Sequence, residues 1–360
     1  MQHGVLCVLL FNFSRLWFIA APDPKPTGRG PRRLASTTSP TAPIVNKPLM
    51  GIGSRGDSMN NPTYKALVTK YFSVITPQNE LKWGSLEENP NAPVKTADAD
   101  QFLQYVTSTN KQLRLHTMFA RSQYPGWIES VDKNYLRMKM DNILGIVIKR
   151  YGPKAVAMDV CNEILDNNGN PDNLPFKRIL GDNWYEEAFQ MAKKYRDQYA
   201  PQMLLFINEV GIEHINPKSN AMLAIATRLH KQKLLDAVGF QCHFPAGHIP
   251  RKVLQKNLER FTAVGLKVAL TEIDIRSQLN GQPRASPTDT AAKTRDYGFF
   301  YETCRNVTGC VSVTSWGLTP ADSWVGLTKD PGWGDATLFE NDFSPTPAMN
   351  LLIKKGFFPK

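Results

Sequence analysis

Two glutamates stand in settings that suggest chemistry. Glu163 directly follows the apolar run AVAMDVCN (155–162), and Glu272 ends the run LKVALTE (266–272). Glycoside hydrolysis needs one protonated carboxyl that donates to the leaving oxygen. It also needs one ionised carboxylate that attacks the anomeric carbon, the two carboxyl groups standing about 5–5.5 Å apart for retention of configuration. Asn162, next to Glu163, has the type and place to bind a sugar 2-hydroxyl. His243 and Asp274 would form a hydrogen-bonded pair that orients Glu272. Taken singly, Glu163 also reads as a first-turn carboxylate stabilised by a helix dipole, and Glu272 as half of a structural ion pair. Their joint placement favours catalysis.

Placing two carboxylates across one opening demands a scaffold. Eight short apolar runs recur along the chain: 49–53, 73–77, 113–118, 155–162, 203–209, 236–243, 266–272 and 311–316. Amphipathic stretches at 98–111, 132–151, 182–199, 219–233, 251–263 and 287–303 fall between them. Strand and helix alternating eight times predict a parallel sheet closed as a (β/α)8 TIM barrel, α/β in class, over residues 48–360. A doubly wound open sheet is the competing fold, since Gly51, Gly53 and Gly56 mimic a phosphate turn. No acidic residue stands at the required distance after a second strand, so that reading is set aside. In a barrel, chemistry sits where strands end. Those ends carry Gln78, Asn79 and Lys82, then His116, then Asn162 and Glu163, then Asn208 and Glu209. Gln241 and His243, Glu272 and Asp274, and Trp316 complete the circuit. No core requires so many polar strand ends.

Composition narrows the class. Of 360 residues 42% are hydrophobic and 21% charged, which fits a globular protein. The net charge is +11, and the first 46 residues hold five basic residues against Asp23 alone, a net +4. No basic block with interleaved aromatics follows, so nucleic acid is not an expected partner. Beyond residue 20 no apolar run approaches membrane-spanning length, so no membrane partner is expected. Residues 1–21 read as an atypical signal sequence whose apolar stretch is broken by Arg15, or equally as a mis-called start. Residues 22–47, rich in Pro, Ser and Thr, read as a disordered linker. Cys304 and Cys310 lie six apart and could close a small loop, Cys161 and Cys242 read as buried thiols, and Cys7 lies in the leader. Asn306-Val307-Thr308 is a sequon that a secreted chain would present for glycosylation. No CxxC or HExxH occurs, so no metal is expected.

The residues then fall into ordered motifs. ITPQNELKW (75–83), LRLHTMFARSQYPGW (113–127), MDVCNEILDNNG (158–169), FINEVGIE (206–213), GFQCHF (239–244), VALTEIDIR (268–276) and TSWGLTPADSW (314–324) together resemble glycoside hydrolase family 10, the retaining endo-1,4-beta-xylanase family. The resemblance runs over residues 48–353. It implies that Glu163 is the general acid/base and Glu272 the nucleophile. It implies that Asn79, Lys82, His116, Asn162, Gln241 and His243 hold the sugar, with Trp316 and Trp324 enclosing it. CRNVTGC (304–310) resembles a disulfide loop of fungal members. A carbohydrate partner, no cofactor, a secreted location and a monomeric state follow as expectations.

The departures from the family pattern matter for substrate. Gln78 stands where the family usually has Glu, Ala120 where it has Trp, and Arg121 where it has His. Met158 replaces the Trp of WDVxNE, and Val210 and Gly211 replace the Tyr-Asn of INDYN. The carboxylates are kept while the sugar-reading walls change, which points to altered specificity. Xylan is the family default; a tomatinase-like action on a steroidal glycoalkaloid is the alternative. A non-catalytic carbohydrate-binding protein would have no need of both glutamates. A phosphate-handling barrel would place glycine-rich loops where Glu272, Asp274 and Trp316 stand.

Overall fold

The computed structural model describes residues 47–326 and 331–360. The leader at 1–21, the linker up to residue 46 and Cys7 lie outside the described residues. Eight strands form the barrel: β1 (Leu49–Ser54), β2 (Val74–Pro77), β3 (Gln112–Leu115), β4 (Ala155–Asn162), β5 (Leu204–Glu209), β6 (Ala237–Phe240), β7 (Lys267–Gln278) and β8 (Cys310–Trp316). Each pairs in parallel with the next, and β8 pairs with both β7 and β1, which closes the circle. Strands covered on both faces should be apolar throughout, and every residue of β2, β5 and β6 except Leu204 is buried.

Helices follow each strand: α1 (Pro62–Tyr71), α2 (Ala97–Ser108), α3 (Lys133–Tyr151), α4 (Trp184–Tyr199), α5 (Pro217–Lys231), α6 (Leu254–Thr262), α7 (Pro287–Asn306) and α8 (Pro347–Lys354). Four start with one device. Asn61, Asn216, Ser286 and Thr346 each accept a first-turn backbone N–H, and proline follows at the first helical position. Helices α1 and α8 are absent from the stretches expected on periodicity. They have ten and eight residues, too few turns for a clear period, although Asn61-Pro62 and Thr346-Pro347 mark where they begin.

Two expected strands are interrupted. The run 113–118 ends as β3 at Leu115 and resumes as the two-residue strand Phe119–Ala120, which pairs with β4. The run 236–243 ends at Phe240, and His243–Pro245 forms a separate pairing with β7. Both breaks fall where backbone leaves the barrel wall and brings His116 and Gln241 to the opening.

The barrel interior is filled in layers. Phe206 lies among Ala157, Ala237 and Ala269, so one large ring meets three small side chains. Beside this ring, Arg114 makes a two-pronged ion pair with Asp159, its guanidinium 4.2 Å from the Phe206 centroid. Both charges are buried and mutually satisfied, which is what burial of charge requires. Cys304 and Cys310 form a disulfide between the end of α7 and the start of β8, with Cα atoms 5.2 Å apart. Asn306, exposed, sits within this loop.

Candidate active site

The functional residues that follow β2 to β8 converge on one mouth. Glu163 is the first residue beyond β4, and its φ of 58° lies in the left-handed region. A non-glycine residue there carries strain of order 1–3 kcal/mol, so the surroundings must hold it. Part of that hold is its backbone N–H, which donates to the Asn208 carbonyl at 3.0 Å. Glu272 lies within β7, and its N–H donates to the Gln241 carbonyl at 3.0 Å.

A web of amides joins the two carboxylates. Glu163 Oε1 accepts from Gln241 Nε2 at 3.0 Å and from Asn162 Nδ2 at 3.2 Å. Asn208 Nδ2 donates to Glu272 Oε1 at 2.6 Å and to Asn162 Oδ1 at 2.8 Å. Thr271 Oγ1 donates to Asn208 Oδ1 at 2.7 Å and fixes which way that amide faces. Glu272 Oε2 meets His243 Nε2 at 3.3 Å, and His243 Nδ1 meets Asp274 Oδ2 at 2.7 Å. Trp324 Nε1 donates to the same Asp274 oxygen at 2.6 Å.

These environments separate the two carboxyls. Burial pushes the Glu272 carboxyl up, but His116, the bond and charge of His243, and Lys82 outweigh it and bring it down to about 2. Burial likewise works against charge on His243, yet Asp274 and Glu272 raise its imidazole to about 10. Glu272 is therefore ionised at neutral pH beside a protonated His243. Burial pulls the Lys82 ammonium below its usual range, opposed by the pull of Glu272 and Glu163. Glu163 is more open, with 23% of its side chain exposed against 7% for Glu272. Among the described residues its Oε2 accepts no hydrogen bond, and Arg121 approaches it as an ion pair at 3.7 Å.

The remaining expected residues line the same mouth. Lys82 bonds Gln123, whose amide donates to Asn79 Oδ1 at 3.1 Å, so three polar groups share one edge. His116 Nδ1 faces Asp159 at 3.0 Å, and its ring meets Trp316 edge-on at 5.3 Å. Trp324 meets His243 edge-on at 5.4 Å. Gly53 makes room for Trp316, because a Cβ there would lie 2.5 Å from the indole. Gln78 does not present its amide to the opening. It is buried, and Nε2 donates to the carbonyls of Gly53 at 3.2 Å and Asp322 at 3.3 Å. Met158 points into the packing between barrel and helices, away from the mouth. Ala120 is buried beside Asn162, whereas Gly211 is exposed.

Three participants were not expected in their observed positions. Asn208 stood among the polar strand ends, but its bond to Glu272 depends on the pairing of β5 with β6 and of β6 with β7. Gln123 lies within a recognised motif and carried no separate signal. Arg121 reaches Glu163, Asp172 and the Leu165 carbonyl together, through a loop whose return was not legible. Behind them Glu209, fully buried, pairs with Lys218 at 2.9 Å; burial raises its carboxyl to about 7 against the pull of Lys218. Among the described residues no cluster of three or more His, Cys, Asp or Glu is arranged to hold a metal ion.

The chain is similar to known proteins. The model of glycosyl hydrolase family 10 matches residues 45–355. Endo-1,4-beta-xylanase 5 of Pyricularia oryzae is 31% identical over 312 residues, 84% of this chain and 75% of that protein. Endo-1,4-beta-xylanase C of Phanerodontia chrysosporium is 30% identical over 322 residues, 88% of this chain and 78% of that protein. A glycosylated endo-beta-1,4-xylanase structure from Gloeophyllum trabeum superposes with a TM-score of 0.78 at 28% identity, covering 85% of this chain and 95% of that one.

Proposed function

The chain belongs to glycosyl hydrolase family 10, and from that premise we propose that it is a retaining endo-hydrolase of β-1,4-linked xylan. The observation that carries the reading is the unequal treatment of two linked carboxylates. Glu272 is held ionised by His116, His243 and Lys82, while Glu163 keeps one oxygen free of hydrogen bonds. That division suits a nucleophile and a general acid.

The Glu272 carboxylate attacks the anomeric carbon as the bond from that carbon to the leaving oxygen breaks. The electron pair of that bond goes to the oxygen, which takes the proton of Glu163. Water then gives a proton to Glu163, its oxygen bonds to the anomeric carbon, and the ester to Glu272 breaks. Glu163 Oε2 carries the mobile proton, because Oε1 accepts two N–H bonds and must stay unprotonated to do so. Asn208 holds Glu272 in line, and Asp274 orients His243 behind it.

Asn79, Lys82, His116, Asn162, Gln241 and His243 read the hydroxyls of the sugars about the cleavage point. Trp316 and Trp324 supply apolar faces that pack on pyranose C–H surfaces. Residues 48–360 form this catalytic barrel, behind a leader at 1–21 and a linker at 22–47. The protein is secreted, acts as a monomer, and carries a glycan at Asn306, which is exposed. Purified protein assayed side by side on xylan, aryl β-xylobiosides and α-tomatine tests the substrate. Release of β-configured xylo-oligosaccharides from xylan is expected. Release of sugar from α-tomatine alone, or of α-configured product first, would overturn the reading.

A further inference from the structure

The loop that carries Glu163 is clamped by charge from two sides. After Glu163 the chain folds back on itself: Leu165 bridges Pro171, Asp166 N–H donates to the Asn170 carbonyl at 2.8 Å, and Asp172 N–H donates to the Ile164 carbonyl at 2.9 Å. This short hairpin returns Asp172 to the mouth, where Arg121 waits at the end of the β4-paired strand. Arg121 Nε lies 2.8 Å from Asp172, NH2 donates to the Leu165 carbonyl at 2.6 Å, and NH1 stands 3.7 Å from Glu163 Oε2. On the other side Glu209 Oε2 accepts the Leu165 N–H at 3.2 Å while Lys218 holds Oε1. One peptide segment, two residues beyond Glu163, is thus gripped at both its N–H and its carbonyl.

We propose that Arg121 is a positioning residue for the acid/base. It pins the hairpin that fixes Glu163 in its left-handed conformation, and it offsets the charge that appears on Glu163 Oε2 when its proton passes to the leaving oxygen. The inference rests on the acid/base role of Glu163. Arg121 faces the one Glu163 oxygen that the amides leave free, so its charge acts on the oxygen that gains charge in the step. Asp172 moderates the effect: the guanidinium is shared, and neither carboxylate has it alone.

The charges facing Glu163 are Arg121 from the strand Phe119–Ala120, Asp172 from its own hairpin, Glu209 from β5 with Lys218 from α5, and Lys82 from beyond β2. Glu272 acts on the same Lys82 from β7. All but Arg121 and Asp172 are left unaltered by the test below, so the response isolates this pair.

The test is the alkaline limb of kcat/KM on phenyl β-xylobioside, which reports the protonated acid. Removing a unit charge about 4 Å away in partly solvated surroundings moves such a limb by about 0.5–1 pH unit. Arg121→Gln should move the limb alkaline by that amount, and Asp172→Asn should move it the other way by less. Arg121→Lys keeps the charge but cannot serve three partners, so it should lower kcat/KM several-fold with the limb near its original place. Thermal unfolding of each variant shows whether the fold survives. If Arg121→Gln does not fold, the acid-ward move in Asp172→Asn decides the matter. Carboxyl NMR titration of Glu163 in the resting protein reads the same displacement without turnover, so failure on xylosides defeats the substrate reading alone. Limbs that stay fixed in both variants, or that move in the same direction, would overturn the proposal.

Discussion

Replacing Asp274 by Asn should raise the carboxyl of the nucleophile without touching it. Asp274 is fully buried and accepts from His243 at 2.7 Å and Trp324 at 2.6 Å. Burial alone would lower His243; Asp274 first and Glu272 second lift its imidazole from 6.5 to about 10. At about 1.4 kcal/mol per pH unit, that lift corresponds to about 5 kcal/mol of preference for the charged ring. Asn at 274 still accepts from Trp324 but carries no charge, so most of the preference should go and His243 should be neutral at neutral pH. Glu272 then loses a cationic neighbour 3.3 Å away, and its carboxyl should rise from about 2 towards its ordinary 4.5. The stability effect has a defined window. The raised His243 contributes fully below 6.5, and its contribution is lost as pH rises through about 10. The depressed Glu272 contributes above 4.5 and loses its contribution as pH falls through about 2. The gap between native and variant should therefore be widest between about pH 4.5 and 6.5, at about 3–5 kcal/mol for a broken buried pair, and should shrink towards pH 10. Denaturant unfolding against pH measures it. The acid limb of kcat/KM on an aryl glycoside with an activated leaving group, together with imidazole NMR of His243, measures the site. A variant whose His243 titrates where the native one does, with an unmoved acid limb, would refute the electrostatic account.

Other substitutions separate the remaining roles. Glu272→Ala should abolish turnover on every substrate, whereas Glu163→Ala should lose about 10²–10⁴-fold on xylan but far less on activated aryl glycosides, which need little protonation. Steady-state kinetics on both substrates check this, and near-normal turnover by Glu272→Ala would remove it from the mechanism. Gln78→Glu should destabilise by about 1–3 kcal/mol, because a carboxylate cannot donate to the carbonyls of Gly53 and Asp322. Ala120→Trp, by contrast, should raise kcat/KM on xylo-oligosaccharides more than on short aryl glycosides if a sugar lies over that wall. A lower value on both would show that the buried position has no room for the ring. Thiol counting on denatured, unreduced protein lacking Cys7 should find two thiols, those of Cys161 and Cys242; finding four would reject the disulfide.

What could be read from the chain depended on whether meaning lay in residue type or in register. The barrel was legible because runs such as AVAMDVCN and FINE change from apolar to polar where each strand ends, and that change needs no knowledge of neighbours. Glu163, Glu272, His243 and Asp274 were legible for the same reason: each is a reactive type at or just beyond the end of an apolar run. Arg121 was not, because its partner Asp172 arrives through a hairpin held by backbone bonds that no side-chain pattern announces. The direction in which Gln78 faces was not legible, because type alone does not say which way a buried amide turns, and here its nitrogen faces two carbonyls.

Asn208 shows how register turns an ordinary amide into part of a catalytic frame. Parallel pairing sets Asn162 opposite Asn208, and Asn208 opposite Gly239. A Cβ at 239 would lie 2.2 Å from Asn208 Oδ1, so only glycine lets that side chain occupy the space. Freed on that side, Asn208 turns one N–H to Asn162 and the other to the Glu272 carboxylate, with its oxygen fixed by Thr271. A glycine inside an apolar strand reads in sequence as a weak point. Its place here is explained by the strand beside it: the absent methyl is the room in which the acid/base wall and the nucleophile are joined.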